Sequence, residues 1–255
     1  MKIGLYYFSG TGNTRLIAGE FKAAFVAQGA DCELIPVEKI TLKTREVNFE
    51  DCDLWGLGFP VHAFDAPRIV YDFVNLLPRK RARYFLFKTA GSAFLQGGST
   101  HRLRRALAGR GWLLAHESFY EMPPNIFSAP EQEKVDAIVA QARAKVPAAV
   151  TEILAGQRRV LEDGTLRSAF SLINRLETAG CYFDSPYWFA DGNCTRCGKC
   201  ARNCPTRNIT VTADRPVFKH SCIFCLRCWW NCPSRAISHR RYGKWLLKNP
   251  YKLNY

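Results

Sequence analysis

The sequence predicts an α/β fold in which five parallel strands alternate with helices, followed by a small cysteine-rich module. Three observations support this prediction. Apolar runs alternate with helical patterns over the first 156 residues, the runs are apolar on both sides as a doubly covered sheet requires, and eight of the eleven cysteines fall within residues 191–238. The chain has 255 residues, 47% of them apolar, which is enough to bury a substantial core.

Five short apolar runs predict the strands of the sheet. They are Ile3–Phe8, Cys32–Val37, Leu54–Phe59, Tyr84–Thr89 and Trp112–Tyr120. A helix is predicted after the first run, because apolar residues recur there at helical spacing from Leu16 to Phe25. Further helices are predicted over Pro67–Leu76, Thr100–Ala108 and Glu131–Leu154. Since strands and helices alternate, we expect a parallel sheet with helices on both faces.

The alternation stops after Gly156. Residues 157–190 contain an amphipathic helix with four apolar residues on one stripe, and then an aromatic segment from Cys181 to Ala190. The stripe consists of Leu166, Phe170, Ile173 and Leu176. We interpret this segment as a connector that packs two modules together. The expected organisation is a first domain at 1–156, the connector at 157–190, a cysteine-rich domain at 191–238 and a basic aromatic tail at 239–255.

The net charge of +14 is concentrated in the second part of the chain. Residues 1–156 hold 19 Lys and Arg against 16 Asp and Glu, whereas residues 157–255 hold 17 against 6. Such a surface attracts nucleic acid, anionic lipid or an acidic protein. An alternative is that part of the excess offsets the negative charge of bound cofactors.

The C-terminal tail interleaves five Lys and Arg with Tyr242, Trp245 and Tyr251. This mixture could stack on bases or lie at a lipid headgroup layer. The favoured alternative is that its aromatic rings pack on their own domain. We therefore expect no nucleic-acid binding, and contact of the tail with a membrane surface stays an open alternative.

Because the sequence shows neither a signal peptide nor a membrane-spanning stretch, we expect a cytoplasmic protein. No stretch without Asp, Glu, Lys or Arg is longer than Thr89–His101, which is too short for a membrane-spanning helix. The first ten residues, MKIGLYYFSG, reach glycines and a turn too soon for a signal peptide, so we expect them to be the first strand. Eleven cysteines in such a chain favour metal or redox chemistry over structural disulfides.

The cysteine-rich region is a tandem repeat with a period of 28 residues. CTRCGKCARNCPTRNI begins at Cys194 and aligns with CIFCLRCWWNCPSRAI, which begins at Cys222, and the matching residues include four Cys, one Pro, one Arg and one Ile. Each copy reads C-x-x-C-x-x-C-x-x-x-C-P, in which three thiolates on a tight loop can bind one face of an iron–sulfur cube. Zinc usually takes C-x-x-C pairs, which leaves the third and fourth cysteines unexplained, and disulfides need an oxidising compartment.

This double motif resembles the bacterial-type two-cluster [4Fe–4S] ferredoxins over about the last fifth of the chain. The resemblance implies a small α+β domain with crossed ligation, in which the fourth cysteine of each copy binds the other cluster. One cluster would be held by Cys194, Cys197, Cys200 and Cys232, and the other by Cys222, Cys225, Cys228 and Cys204. The three remaining cysteines, Cys32, Cys52 and Cys181, are assigned no function.

A second motif, Ser9-Gly10-Thr11-Gly12-Asn13-Thr14, stands between the first strand and the first helix. Glycines and short hydroxylated residues let backbone N–H groups and hydroxyls converge on a phosphate at the helix N-terminus. Arg15 replaces the third glycine of the dinucleotide fingerprint, and no G-K-[ST] follows as in a P-loop. The alternative is a simple capping turn with Thr11 or Asn13 as the N-cap.

This loop and its position are similar to those of the flavodoxin family, whose phosphate-binding signature is S/T-x-T-G-N-T. The resemblance covers residues 1 to about 156 and implies a doubly wound sheet in the order 2-1-3-4-5, with FMN at the point where the order reverses. It implies that the FMN phosphate is held by Ser9, Thr11, Gly12, Asn13 and Thr14. The isoalloxazine would be enclosed by two loops, through Pro60, Val61, His62, Ala63 and Phe64, and through Thr89, Ala90, Gly91 and Phe94.

The expected ring site departs from that of familiar flavodoxins, which stack the flavin between side chains such as Trp and Tyr. The candidates in this sequence are His62, Phe64 and Phe94, and Trp55 is expected in the core. A less complete aromatic sandwich would leave one flavin face open to a redox partner. For His62 and Phe64 the alternative is ordinary loop packing.

Together the two motifs predict redox function. A flavin exchanges two electrons, singly or as hydride, whereas each cluster passes one, so a chain with both converts between one- and two-electron carriers. We therefore expect a flavodoxin–ferredoxin fusion that relays electrons among FMN, two [4Fe–4S] clusters and an external redox protein. An acidic ferredoxin, a flavodoxin or a reductase complex would suit that partner role. The alternative is an FMN-dependent reductase of a small molecule such as a quinone, and neither hypothesis assigns a catalytic residue.

Overall fold

A computed structural model describes residues 1–45, 49, 52–96, 98–127, 130–162, 167–246 and 250–253. Leu166, expected on the apolar stripe of the connector, lies outside the described residues. Within them, no helix is both long enough and apolar enough to cross a bilayer.

The first part of the chain forms a five-stranded parallel sheet. Its strands are β1 (Lys2–Tyr7), β2 (Asp31–Pro36), β3 (Leu54–Pro60), β4 (Ala82–Ala90) and β5 (Trp112–Glu121). They pair in the order β2-β1-β3-β4-β5, which confirms the expected order. The observed bounds differ from the predicted runs by up to two residues, within the usual uncertainty of strand ends.

Helices cover both faces of the sheet. One face carries α1 (Asn13–Ala27), α5 (Gln132–Ala144) and α6 (Val146–Leu154), and the other carries α2 (Val37–Thr41), α3 (Arg68–Leu76) and α4 (His101–Ala108). The stretch expected as one helix over Glu131–Leu154 is two helices that meet at Lys145. Pro147 explains the break, because it lacks an N–H and suits the first turn of a helix better than an interior.

The strands divide their side chains between two cores. Along β1, Ile3 and Leu5 are buried in the core under α1, whereas Tyr6 is buried in the core under α3. Trp55 of β3 belongs to this second core and stacks on Tyr6 with ring centroids 5.3 Å apart, as expected of a core residue. This alternation is why the strands read as apolar on both sides.

A long helix, α7 (Arg167–Asp184), forms in the connector, but of its expected apolar stripe Phe170 packs while Ile173 and Leu176 do not. Ile173 is 43% exposed and Leu176 is 64% exposed. The helix packs through Phe170 together with Asn174 and Cys181, which follow it one and three turns later on the same face. The contacts are set by the ring of Phe64 and the carbonyl of His62, so the periodicity of α7 alone does not reveal them.

The 28-residue period recurs in the backbone of the cysteine-rich unit. β6 (Trp188–Ala190), α8 (Lys199–Arg202) and β7 (Ile209–Val211) are followed at the same spacing by β8 (Pro216–Phe218), α9 (Arg227–Trp230) and β9 (Ile237–His239). The strands pair between copies and antiparallel, β6 with β9 and β7 with β8. The two copies therefore form one pseudosymmetric α+β unit, and β6, placed at the end of the connector by the sequence, takes part in it.

Candidate functional site

The Ser9–Thr14 loop joins β1 to α1 at the carboxyl edge of the sheet. Gly12, with φ 116°, is the N-cap of α1, and no side chain caps this helix end, so neither Thr11 nor Asn13 acts as the N-cap. The Gly12 N–H donates to Ser9 Oγ at 3.2 Å, and Thr14 Oγ1 lies 2.8 Å from Thr89 Oγ1. An uncapped helix N-terminus presents backbone N–H groups and a positive dipole end to an anion.

A cavity of about 410 Å³ opens beside this loop, a volume within the range of small-molecule sites. Twelve of the fourteen residues expected to bind FMN line it: Ser9, Thr11, Asn13, Thr14, Pro60, Val61, His62, Ala63, Phe64, Thr89, Ala90 and Gly91. The other two do not. Gly12 serves as the helix N-cap, and Phe94 is 69% exposed beside the cavity rather than in its wall.

Three further segments complete the wall: the loop 123–127 after β5, Glu177 of α7 and Phe224–Leu226. The loop 123–127 is tied to the Ser9–Thr14 loop, because Asn125 Nδ2 donates to Thr11 Oγ1 at 2.5 Å. This loop was predictable from the sequence, because it follows β5, a parallel strand that ends at the same edge of the sheet as β1. The other two have no local signal, because they reach the cavity only through the packing of α7 and the cysteine-rich unit.

The turn at His62–Phe64 is held from outside the sheet. Ala63 and Phe64 have φ of 41° and 67°, a left-handed conformation that is costly for residues with a Cβ. Phe64 stacks on Phe170 of α7 with centroids 4.2 Å apart, and Phe94 meets both rings edge-on. Phe64 thus lines the cavity and also packs on α7, so both interpretations made from the sequence describe it in part.

His62 connects this turn to the cysteine-rich unit. Its carbonyl accepts a hydrogen bond from Asn174 Nδ2 at 2.9 Å, and its ring is hydrogen-bonded to the backbone of Ile223. Burial lowers the pKa of His62 to about 4, against the opposing effect of that hydrogen bond, so the ring is neutral at pH 7. The side chain is therefore a neutral wall residue.

The eight repeat cysteines gather around two small cavities. One is lined by Cys194, Cys197, Cys200 and Cys232, and the other by Cys204, Cys222, Cys225 and Cys228. These are the two sets expected from crossed ligation, and we call them the outer set and the inner set. No three His, Cys, Asp or Glu in the described part of the chain converge closely enough to hold one metal ion.

The backbone of the cysteine loops is turned toward the sulfurs. Six loop residues, three in each copy, have positive φ: Arg196, Gly198, Arg207, Phe224, Leu226 and Arg235. The Asn208 N–H lies 3.2 Å from Cys204 Sγ, and the Phe224 N–H lies 3.3 Å from Cys222 Sγ. Hydrogen bonds of this kind are among the features that set the potential of a cluster.

The two sets differ in their environment. Cys197 of the outer set is exposed, and hydrogen bonding to the Lys199 backbone N–H lowers the pKa of its thiol. In the inner set, burial raises the pKa of Cys222 to about 12 and that of Cys225 to about 11. The outer set therefore reaches solvent, and the inner set faces the interior of the molecule.

The inner set adjoins the cavity at the Ser9–Thr14 loop. Cys225 and Leu226 line both this cavity and that of the inner set. Arg227 ties the two parts together, because its guanidinium donates to the Ser9 carbonyl at 2.5 Å and to Glu38 Oε1 at 2.7 Å. The two candidate sites therefore share part of their walls.

The C-terminal tail also closes on this junction. The Tyr251 hydroxyl lies 3.0 Å from Asn13 Oδ1 and 2.8 Å from the Pro123 carbonyl, and its ring meets that of Trp230 at 5.0 Å. Trp245, by contrast, is 62% exposed. The tail thus packs Tyr251 on the body of the protein, in line with the favoured alternative.

The strand order β2-β1-β3-β4-β5 is that of the flavodoxin-like doubly wound sheets. The chain has a flavodoxin-like fold. Similar solved structures include a flavodoxin from the domain Archaea, at 12% identity and a TM-score of 0.42 over 60% of this chain and 99% of that one. The two-electron reduced flavodoxin of Megasphaera elsdenii has 24% identity and a TM-score of 0.37, over 56% and 98% of the two chains. Flavodoxin 2 of Bacillus cereus has 21% identity and a TM-score of 0.44, over 60% and 99%.

No protein-family model matches this sequence, and no curated protein matches it. The assignment of the fold class therefore rests on the strand order and on the position of the loop at its switch point.

Proposed function

We propose that this chain is an electron-transfer flavoprotein that relays electrons among FMN, two [4Fe–4S] clusters and an external redox protein. The observation that carries the proposal is the shared wall, in which Cys225 lines both the loop cavity and the cavity of the inner set. Residues 1–156 would be the FMN domain and residues 191–238 the two-cluster domain, with β6 completing its sheet. Iron–sulfur chemistry suits a reducing compartment such as the cytoplasm.

The loop cavity fits FMN in size and in the chemistry of its donors. Ser9, Thr11, Asn13 and Thr14 would hold the phosphate through hydroxyls and the backbone N–H groups of the uncapped helix. His62 and Phe64 would flank the ring as an uncharged, mostly apolar wall. Bound FMN would supply an acceptor for one electron or two.

The number and grouping of the cysteines in each set fit a cluster. The four thiols of each set line one small cavity, and backbone N–H groups point at Cys204 and Cys222. The outer set would hold one cluster near the surface, through Cys197, and the inner set would hold the other beside the FMN cavity. The order from solvent inward is therefore outer set, inner set, flavin cavity.

Anaerobic purification with quantified iron, sulfide and flavin tests the proposal. We expect about eight iron, about eight sulfide and about one flavin per chain, with flavin bleaching and cluster EPR signals on reduction with dithionite. Zinc in place of iron, or a preparation that cannot be reconstituted with flavin, would overturn it.

Thr14→Val should weaken FMN binding by roughly ten- to a hundredfold, because a hydrogen bond to a charged group contributes about 1.5–3 kcal/mol. The buried Thr14 hydroxyl lies at the cavity wall, and valine keeps the shape of the side chain. The measurement is fluorescence titration of the apoprotein with FMN and, as a control, with riboflavin, which lacks the phosphate. Equal losses for both ligands would contradict the placement of the phosphate at Thr14.

A flavin-dependent reductase of a small apolar molecule such as a quinone is the second candidate. It is favoured by Phe127, which lines the cavity and is 65% exposed, so that an aromatic ring stands at the mouth of the site. Steady turnover of a defined quinone would favour the reductase. Inertness toward a broad panel, with rapid electron exchange with a redox protein, would favour the relay.

A further inference from the structure

The surface around the outer set is basic and exposed. Cys197 is the exposed member of the eight repeat cysteines, and the neighbouring Arg196, Lys199 and Arg202 are exposed as well. The Arg202 guanidinium lies against Gly198, since its Nη1 would be 2.8 Å from a Cβ at that position. Positive side chains therefore flank the point where this set reaches solvent.

The β7–β8 turn and the end of the second repeat extend this surface. Arg196 Nη1 donates to the Ala213 carbonyl at 3.0 Å, which places the turn that carries the exposed Arg215 beside the outer set. Arg235, also exposed, follows Cys232 by three residues. Residues 191–238 hold eight Lys and Arg against two Asp and Glu, so the charge of this unit is strongly one-sided.

The inner set has a different electrostatic environment. The guanidinium of Arg227, which acts on Cys225, is largely buried and forms an ion pair with Glu38 at 2.7 Å. Arg207, three residues after Cys204, is exposed and donates to the Leu42 carbonyl at 3.4 Å, so an exposed cation stands at this set too, against four at the outer set. The exposed positive charge of the cysteine loops thus concentrates at the outer set. A charge arrangement of this kind steers a partner of opposite sign toward one surface and fixes its orientation.

We propose that an acidic electron-transfer protein docks on the face formed by Arg196, Lys199, Arg202 and Arg235, and exchanges electrons through the outer set. This inference rests on the proposed function. Each event moves one electron between the partner's redox centre and the cluster held by the outer set, so one is oxidised as the other is reduced and no bond forms or breaks. Cys197 lies where a docked partner brings its centre closest.

The positive charge of this face would also suit a nucleic acid or an anionic membrane, but its aromatic content and the exposed Cys197 favour neither. Base stacking and interfacial anchoring use exposed aromatic rings. Among the described residues the exposed rings are Phe94, Phe127, Tyr182, Phe183 and Trp245, and none of them lines the cavity of the outer set. Neither polymer nor lipid would use the one exposed cysteine of the outer set. An acidic redox protein accounts for both the charge and the position of Cys197.

The test is a charge reversal in the complete, cofactor-loaded protein. Lys199→Glu/Arg202→Glu changes the proposed face, and Lys134→Glu/Lys145→Glu makes the same change in net charge at exposed positions near α5. The probe is a strongly acidic [2Fe–2S] ferredoxin, and its dissociation constant is measured by calorimetry at low and high salt. We expect the first variant to bind about tenfold more weakly at low salt, the control variant less than about twofold, and the wild-type affinity to fall as salt rises.

Three results would overturn the docking proposal: equal weakening in both variants, salt-independent binding, or no binding of the ferredoxin at low salt. Competition by DNA or by phosphatidylserine vesicles as effective as that by the ferredoxin would also overturn it, in favour of a general polyanion site. Iron, sulfide and flavin are quantified in the same samples. If the Lys199→Glu/Arg202→Glu variant has its full cofactor content and an unchanged affinity for the ferredoxin, the docking proposal alone is overturned. If the wild-type protein contains no clusters, the proposed function is overturned.

Discussion

Cys204→Ala should eliminate the cluster of the inner set and leave that of the outer set, although Cys204 belongs to the repeat that supplies three cysteines of the outer set. The structure places Cys204 with Cys222, Cys225 and Cys228 around the inner cavity, and places Cys232 with the outer set. Cys204→Ala and Cys222→Ala should therefore remove the same EPR signal and roughly half of the iron. Cys232→Ala should remove the other signal, since each [4Fe–4S] cluster needs its four thiolates.

The matched control for these variants is Cys52→Ala, which deletes a partly buried thiol of the first domain. It should leave the iron content and both EPR signals unchanged. If Cys204→Ala and Cys194→Ala affected the same signal, the ligation would be uncrossed and the grouping around the two cavities would be wrong. Flavin content measured on the same samples separates loss of a cluster from global misfolding.

Gly10→Ala should destabilise the protein by about 1–3 kcal/mol or more, and should also weaken flavin binding. A Cβ on Gly10 would lie 2.1 Å from the Cys225 carbonyl oxygen, an atom of the backbone that cannot rotate away. The two segments must separate, although Arg227 holds Cys225 and Ser9 together. Because Cys225 forms part of the cavity wall, the same movement should deform the flavin site.

Chemical denaturation of the loaded protein measures this effect, with Gly19→Ala as the control. Gly19 lies inside α1, and a Cβ there meets no atom within 4 Å. Alanine at that position should stabilise the helix by about 0.5–1 kcal/mol. A Gly10→Ala protein as stable as the wild type, with unchanged FMN affinity, would show that the loop and the cysteine-rich unit are not in such close contact.

Local patterns predicted much of this molecule correctly. Strand and helix periods and their alternation indicated the five-stranded sheet, because side-chain burial on a strand or helix follows directly from position along it. The cysteine spacing also led us to expect the two sets of thiols that line the two small cavities, and the binding of a cluster by each set stays a prediction. Twelve of the fourteen expected FMN residues share one cavity for a similar reason: the loops of parallel strands meet at one edge of the sheet.

Predictions that depended on distant contacts were less successful. The apolar stripe expected on α7 was right for Phe170 but not for Ile173 and Leu176, which are exposed. The packing face is decided by Phe170 and Asn174, which find their partners in a turn more than 100 residues earlier. Phe94 was expected at the ring site but lies beside the cavity, where it meets Phe64 and Phe170 edge-on. Tyr251 was an undistinguished tail residue until the fold brought it to Asn13.

The sequence by itself determined the class of the sheet and the place of the Ser9–Thr14 loop between β1 and α1, because both depend on residues close together or on a fixed period. Only the tertiary structure decided that Cys225 lies against Gly10 and that the outer set faces solvent. The reason is that docking of two units depends on complementary shapes and on single contacts such as Arg227 with the Ser9 carbonyl. No local pattern on either segment specifies such contacts.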